Sequence, residues 1–187
     1  MRTFIILIIT LLSFSQEAAA FRLRVNGLVT EHGTQQPLVS ARVRIYKDGV
    51  LQRSRTTNVG GKYSIALENQ GNYVIRVDAP GHQGKCITID TRGLEWEGDA
   101  RTSSLEVEMR LPAFREGLDL SYFDLPLGMA YFEPATGLTR WSMKYERSVT
   151  ADVRDLMVHY DQYCGGMLQP VAGIRTELST YLVLLGR

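Results

Sequence analysis

The sequence has few of the residues that build most catalytic and metal centres. Its 187 residues include only three histidines, and these stand far apart, at His32, His82 and His159, in none of the spacings that bind zinc. The G-x-S-x-G motif of serine hydrolases is missing. The stretch Gly60-Gly61-Lys62-Tyr63 lacks the first glycine and the final Ser/Thr of a phosphate-binding loop. We therefore predict no catalytic residue, no metal and no cofactor.

An excess of one charge sign is also missing. The chain carries 21 Lys and Arg against 20 Asp and Glu, a formal net charge of +1. A nucleic-acid-binding surface usually leaves a basic excess, so the composition predicts no nucleic-acid partner. Hydrophobic residues make up 44% of the chain, which is typical of a globular protein and excludes general disorder.

The one long apolar run of the sequence lies at its N-terminus. Residues 4–14 are apolar except for Thr10 and Ser13, a basic residue precedes them, and Ala18-Ala19-Ala20 fits the small-x-small cleavage rule. This layout predicts a secretory signal peptide over residues 1–20. An uncleaved N-terminal anchor is the alternative, although the run is short for a membrane span. We expect an exported protein of the periplasm, cell surface or medium, with no transmembrane span after cleavage.

Cysteine is scarce as well, and the two cysteines, Cys86 and Cys164, both follow the predicted cleavage site. An oxidising compartment allows them to form a disulfide, which would restrict the unfolded chain by about 4–5 kcal/mol in the chain-entropy model. Two free thiols are the alternative, because free cysteine packs as a small hydrophobic residue. The sequence leaves both alternatives open.

Residues 21–111 have the pattern of a β-sandwich. Short runs alternate apolar and polar residues with a period of two, as in Leu23 and Val25 between Arg22, Arg24 and Asn26. The runs recur about every ten residues with turn-forming residues between them, which predicts a mainly β fold, a seven-stranded antiparallel sandwich. The predicted strands begin near residues 22, 41, 51, 62, 73, 86 and 105.

Many ordered positions between residues 22 and 110 also follow one known pattern. They include Val25-Asn26-Gly27-Leu28-Val29, Gly33-Thr34, Pro37-Leu38, Ala41-Arg42-Val43-Arg44-Ile45, Gly60-Gly61-Lys62-Tyr63, Gly71-Asn72-Tyr73 and Val77-Asp78-Ala79-Pro80-Gly81-His82. This pattern resembles the carboxypeptidase regulatory-like domain, and the resemblance implies a transthyretin-like Greek-key sandwich without catalytic residues. Two positions depart from the pattern: Asn58 stands where Asp is usual, and His82 replaces an aromatic residue.

Residues 112–187 differ in composition, and we predict that they form a C-terminal α+β extension. Two apolar runs flank a turn at residues 133–137, which predicts a hairpin at about 128–143. A change to helical spacing then predicts a helix at about 150–164, with Thr150 as N-cap. The predicted buried face of this helix comprises Val153, Leu156, Met157, Tyr160 and Cys164.

Arginines occupy the outward phases of the first two predicted strands. They could form one basic stripe for an anionic glycan or a lipid phosphate, extended by Arg53 and Arg55. The alternative is a solvated face paired with Glu106 and Glu108. The four residues of the predicted stripe are Arg22, Arg24, Arg42 and Arg44.

Trp96 and Trp141 are candidate residues for stacking on a sugar ring. Trp96 lies among the carboxylates of Glu95, Glu97 and Asp99, which can bind Ca²⁺ if the loop presents them together. An ordinary acidic loop is the alternative, because no calcium-ligand spacing is evident.

These observations predict an exported, non-catalytic binding or structural module of the bacterial cell envelope. Its partner would be an envelope protein or a glycan. The segment 130–137, with Trp141 and Lys144-Tyr145, resembles the tail that follows such a sandwich in small exported proteins of Bacteroidetes-type bacteria. The alternative function is a carbohydrate-binding accessory protein that uses an exposed tryptophan, and a small hydrolase is the third.

Overall fold

The computed structural model describes residues 22–92, 103–133 and 138–165. Over these ranges the chain forms nine strands, a short 3-10 helix at Ser121–Asp124 and one α-helix, α1 (Met143–Gly165). The strands are β1 (Arg22–Glu31), β2 (Arg42–Lys47), β3 (Val50–Thr56), β4 (Lys62–Glu68), β5 (Asn72–Asp78), β6 (Lys85–Asp90), β7 (Ser103–Leu111), β8 (Pro126–Glu133) and β9 (Leu138–Trp141).

The strands form two sheets. A three-stranded sheet has the order β4-β1-β7, and a six-stranded sheet has the order β3-β2-β5-β6-β8-β9. The mainly β class is confirmed, but the expectation of a purely antiparallel sandwich is wrong, because β1 pairs with β7 and β6 pairs with β8 in parallel. Parallel neighbours need a crossover connection, which short turn signals in a sequence do not reveal.

The core lies between the two sheets and follows the predicted alternation. In β4, for example, Tyr63, Ile65 and Leu67 are buried while the residues between them are exposed. Tyr63 pairs with Gly27 of β1, and a Cβ atom at Gly27 would lie 2.0 Å from carbons of the Tyr63 ring. Glycine is therefore required at this position so that the ring can pack against the strand.

The described part of the C-terminal extension packs on the sandwich of its own chain. Strands β8 and β9 form the predicted hairpin and continue the six-stranded sheet, because β8 pairs with β6. Their buried residues Ala130, Phe132 and Trp141 belong to the same core as the first seven strands. A second apolar cluster joins the 3-10 helix region to α1, and its buried members are Leu118, Leu120, Phe123, Val153, Met157 and Tyr160.

The helix begins about seven residues earlier than the spacing predicts. The Ser142 hydroxyl accepts a hydrogen bond from the Tyr145 N–H at 3.3 Å, so Ser142 is the N-cap. The predicted N-cap, Thr150, lies inside the helix, where its hydroxyl donates to the Glu146 carbonyl. The first two turns were missed because they lack a buried apolar stripe, whereas the predicted face is confirmed by the buried residues Val153, Met157 and Tyr160. Within the described ranges, no helix has the length and apolar character that a bilayer crossing requires.

Candidate functional site

A row of mostly apolar side chains crosses the outer face of the six-stranded sheet. The strand registers pair Leu51 with Tyr46, Tyr46 with Val74, Val74 with Thr88, and Thr88 with Met129. Directly paired residues point to the same face, so the five side chains lie side by side. With strands about 4.8 Å apart, this set, which we call the outer row, is about 19 Å long.

The outer row is open to solvent at both ends. Leu51 is 51% exposed and Met129 is 38% exposed, while the three residues between them are partly exposed. Tyr131, two residues after Met129 on the same face of β8, is 40% exposed. The row and Tyr131 therefore form one contiguous, mostly apolar surface on this face of the sheet.

Ion pairs border the outer row on one side. The Arg44 guanidinium donates to Asp78 Oδ2 from Nη2 at 2.7 Å and from Nε at 3.0 Å, and it also donates to the Tyr46 hydroxyl at 3.2 Å. Arg76 contacts both Asp78, at 3.5 Å, and Asp124. Two cations thus face two carboxylates, so the ion pairs nearest the row offer hydrogen-bonding groups with little net charge, while exposed Arg42 lies further out, level with Asp78.

The opposite border has the same character. Asp90 receives two hydrogen bonds from Arg92, at 2.9 and 2.6 Å, and these bonds lower the pKa of Asp90. Further along the sheet, Arg140 Nε lies 2.9 Å from a carboxylate oxygen of Glu133. Both sides of the outer row are therefore lined by neutralised pairs.

The predicted basic stripe is not formed as one surface. Arg24 is exposed on β1 of the three-stranded sheet, and Arg22 is the first residue of that strand. Arg42 and Arg44 point outward from β2 of the six-stranded sheet. Because the two sheets pack face to face, their outward residues point in opposite directions. The prediction of a common stripe is wrong, since neighbouring strands in the chain belong to different sheets.

Arg53 and Arg55 do not extend that stripe either. A β-bulge opposite Tyr46 shifts the register of β3, so Arg53 pairs with Ile45 and Arg55 pairs with Val43, both of which face the core. All residues of β3 are nevertheless exposed. We conclude that the three-stranded sheet does not cover this edge strand, whose charged residues are typical of edges protected from unwanted pairing.

The structure also corrects one of the two predicted sugar-stacking residues. Trp141 is only 7% exposed and lies in the main core, because it occupies the inward phase of β9 opposite Ala130. It cannot stack on a ligand in this position. Trp96 and the acidic residues around it lie outside the described residues, as do the predicted signal peptide and residues 166–187.

Of the two alternatives that the sequence leaves open for Cys86 and Cys164, the structure has the free thiols and no disulfide between them. The Cys86 thiol contacts the Asp124 carbonyl at 3.5 Å and lies near Tyr145, at the start of α1. Cys164 lies beside Tyr160 at the end of the same helix, 19 residues after Tyr145 and thus about 28 Å along its axis. A disulfide requires Cα atoms within about 7 Å of each other. Burial raises the pKa of the Cys86 thiol, which makes it a poor nucleophile.

Buried titratable groups lie where α1 packs on the sandwich. Lys85 is 2% exposed, and its Nζ lies 4.3 Å from the centroid of the Phe123 ring. Burial, together with the charge of Arg110, lowers the pKa of Lys85 to about 7. The lysine lines a cavity of about 50 Å³ between β6, β7 and α1. Sequence reasoning missed this residue, although it has the inward phase of Ile87 and Ile89.

A second polar contact joins the turn after β1 to α1. His32 Nε2 lies 3.1 Å from Asp161 Oδ1 on α1, and the His32 ring meets the Tyr160 ring edge-on. Desolvation lowers the pKa of His32 and outweighs the opposing effect of Asp161. Among the described residues, no group of three or more potential ligands is placed to hold a metal ion. These buried groups therefore fasten the helix to the sandwich and form no open reaction site.

Comparison with known families bears directly on strands β1 to β6. Residues 24–93 match the carboxypeptidase regulatory-like domain. The match confirms the resemblance expected from the sequence and covers less than half of the chain. This family is a regulatory, non-catalytic domain. The regulatory-like domain ends before β7, so the outer row draws four residues from it and takes Met129 from the extension.

Solved structures match about half of the chain at low sequence identity. The TIE protein of Bacillus anthracis is 11% identical, with a TM-score of 0.41, over 50% of this chain and 18% of its own. A protein of unknown function from Bacteroides fragilis NCTC 9343 is 17% identical, with a TM-score of 0.37, over 53% and 30%. Catechol 1,2-dioxygenase from Acinetobacter radioresistens is 14% identical, with a TM-score of 0.42, over 56% of both chains. The chain thus spans less than two thirds of each, and no curated protein matches it significantly.

Proposed function

We propose that the protein is an exported, non-catalytic binding module of the bacterial cell envelope that acts through the outer face of its six-stranded sheet. The observation that carries this proposal is the outer row, in which exposed Leu51 and Met129 end a continuous line of side chains across five strands. The regulatory-like match to residues 24–93 supports the non-catalytic part. We also infer that β1 to β7 form a transthyretin-like Greek-key sandwich to which β8, β9 and α1 are added.

The alternative of a small hydrolase finds no support in the buried groups. Lys85 and Tyr63 are 2% and 7% exposed, and Tyr63 packs in the core where desolvation raises its pKa. Side chains with so little exposed surface are not open to a substrate from solvent. Binding by a surface is the function that fits the exposed residues.

Co-sedimentation with isolated cell envelopes tests the proposed function. We expect saturable binding of the full chain, and at least tenfold weaker binding after Leu51→Ser combined with Met129→Ser. The matched control is Val39→Ser combined with Val59→Ser, because these valines are 53% and 87% exposed in connections outside the outer row. Equal binding by the row variant and the wild type, or no saturable binding at all, would contradict the proposal.

Export is tested by the N-terminus of the accumulated protein. If residues 1–20 are a signal peptide, fractionation of cells should place the protein outside the cytoplasm with Phe21 as its first residue. Recovery of the protein in the cytoplasm with Met1 retained would argue against export. Recovery in the membrane fraction with Met1 retained would favour the uncleaved anchor.

A further inference from the structure

The size of the apolar surface limits what it can bind. The outer row is about 19 Å long, and Tyr131 widens it by a second row about 7 Å away along the strands. Because Asn72 and Asp90 occupy the rest of that second row, the apolar surface is smaller than roughly 19 by 14 Å, or about 270 Å². A standard protein interface buries about 800 Å² on each partner. The surface is therefore too small for a stable dimer and suits a narrow, elongated ligand.

Two tyrosines place aromatic rings on this surface. The Tyr46 hydroxyl accepts a hydrogen bond from Arg44 at 3.2 Å, and Arg44 is itself held by Asp78, so the ring is fixed before any ligand arrives. Tyr131 is 40% exposed on the strand that also carries Met129. Aromatic rings held by such contacts provide contact area at low entropic cost. They suit a ligand whose own faces are flat and partly apolar, such as a sugar ring.

The borders of the surface favour a ligand without charge. Arg44 and Arg76 are paired with Asp78 and Asp124, and on the other side Arg92 is paired with Asp90. An anionic polymer would have to separate these pairs or lie beside their carboxylates, which costs free energy. A ligand with many hydroxyl groups can instead donate to the carboxylates and accept from the guanidinium groups without breaking the pairs.

We propose that the outer row and Tyr131 form a binding site for a neutral oligosaccharide, which lies across strands β3, β2, β5, β6 and β8. This inference rests on the proposed function and names the ligand class of the same face. The sugar rings contact Tyr46, Tyr131 and Met129, while the bordering ion pairs bind the hydroxyl groups.

Native affinity electrophoresis of the full chain tests the proposed ligand. The gels would contain dextran, mixed-linkage β-glucan, xylan or galactomannan as neutral probes, and alginate or heparin as anionic probes. We expect retardation by at least one neutral polysaccharide. Tyr131→Ala should weaken that binding about tenfold, the loss expected when a stacked ring is removed, whereas Tyr131→Phe should retain it. The matched control is Tyr163→Ala on α1, because Tyr163 is 46% exposed and lies outside the sheet.

The other possible results contradict the proposal of a neutral oligosaccharide ligand. Retardation by the anionic probes alone would contradict a neutral ligand. Equal losses of binding in Tyr131→Ala and Tyr163→Ala would show that the binding site does not lie on this face. If no polysaccharide binds, but envelopes still bind the wild type and not the Leu51/Met129 variant, the face has a different ligand and the proposed function stands. If neither envelopes nor polysaccharides bind, both proposals fail. The melting temperature of each variant serves as a control, because an unchanged value shows that a loss of binding is not caused by unfolding.

Discussion

Lys85 makes the free energy of unfolding depend on pH, and replacing this lysine by methionine should remove its contribution to that dependence. The side chain lies at the start of β6, 2% exposed, with its Nζ over the Phe123 ring and near Arg110. Burial and Arg110 lower the pKa of Lys85 from 10.5 to about 7. Replacement by methionine keeps an unbranched side chain of similar length and removes the titratable amine.

The expected magnitude follows from the pKa. A decrease from 10.5 to about 7 is 3.5 pKa units, and at 1.36 kcal/mol per unit the buried charge costs at most about 5 kcal/mol. This shift is the net effect of all interactions of the ammonium, including the cation–π contact with Phe123. Below pH 7, Lys85→Met should therefore increase the free energy of unfolding by at most about 5 kcal/mol.

The direction with pH follows from proton binding. Between pH 7 and 10.5 the unfolded state binds more protons at Lys85 than the folded state, so the stability of the wild type rises with pH over this window. The advantage of Lys85→Met should shrink over the same window. Urea unfolding at pH 6, 8 and 10 measures the change, with exposed Lys62→Met as the control. Parallel pH profiles for Lys85→Met and wild type, or a less stable Lys85→Met at pH 6, would refute the reasoning.

Three other predictions concern packing, capping and the thiols. Gly27→Ala should destabilise the fold by about 2 kcal/mol or more, because the new Cβ atom would meet the Tyr63 ring. A Cβ atom at Gly33 would have no heavy atom within 4 Å, so Gly33→Ala should change the melting temperature little. Ser142→Ala should lower the free energy of unfolding, measured by chemical denaturation, by about 1 kcal/mol, because the N-cap is lost. Thr150→Ala should lower it by less, and a larger effect of Thr150→Ala would support Thr150 as the N-cap. Thiol titration of the unfolded, unreduced chain should find two free thiols, and a count of zero would show that the cysteines are bridged.

Local patterns in the sequence predict the strands well. The alternation in β4 alone distinguishes the buried side chains of Tyr63, Ile65 and Leu67 from the exposed ones. The hairpin β8–β9 was predictable for a similar reason, since two apolar runs flank a turn. Such patterns arise from residues close in the chain, and a single sequence contains them in full.

Sheet membership and register arise from long-range pairing, and the sequence pattern does not contain them. Arg24 and Arg42 have the same outward phase, yet β1 and β2 belong to different sheets, so the two arginines face opposite sides. Likewise, Tyr46, Val74 and Met129 are recognisable as apolar residues in outward phases. Only the register places them side by side as a candidate site.

Two errors have local causes that could have been noticed. Trp141 shares the phase of Thr139, and both lie opposite core residues of β8, so the alternation of β9 points the indole inward. Lys85 has the phase of buried Ile87 and Ile89. In both cases residue type suggested exposure or function while the strand period indicated burial, and the strand period was correct.

The central claim is that ligand covers the outer row, and hydroxyl-radical footprinting of the envelope-bound protein tests it most directly. Methionine is readily oxidised, and the chain carries a natural pair: Met129 in the row, 38% exposed, and Met143 at the start of α1, 56% exposed. With envelopes present, we predict at least fivefold protection of Met129, protection of Leu51 and unchanged oxidation of Met143. Equal oxidation of Met129 with and without envelopes, under conditions where the protein is bound, would contradict the account.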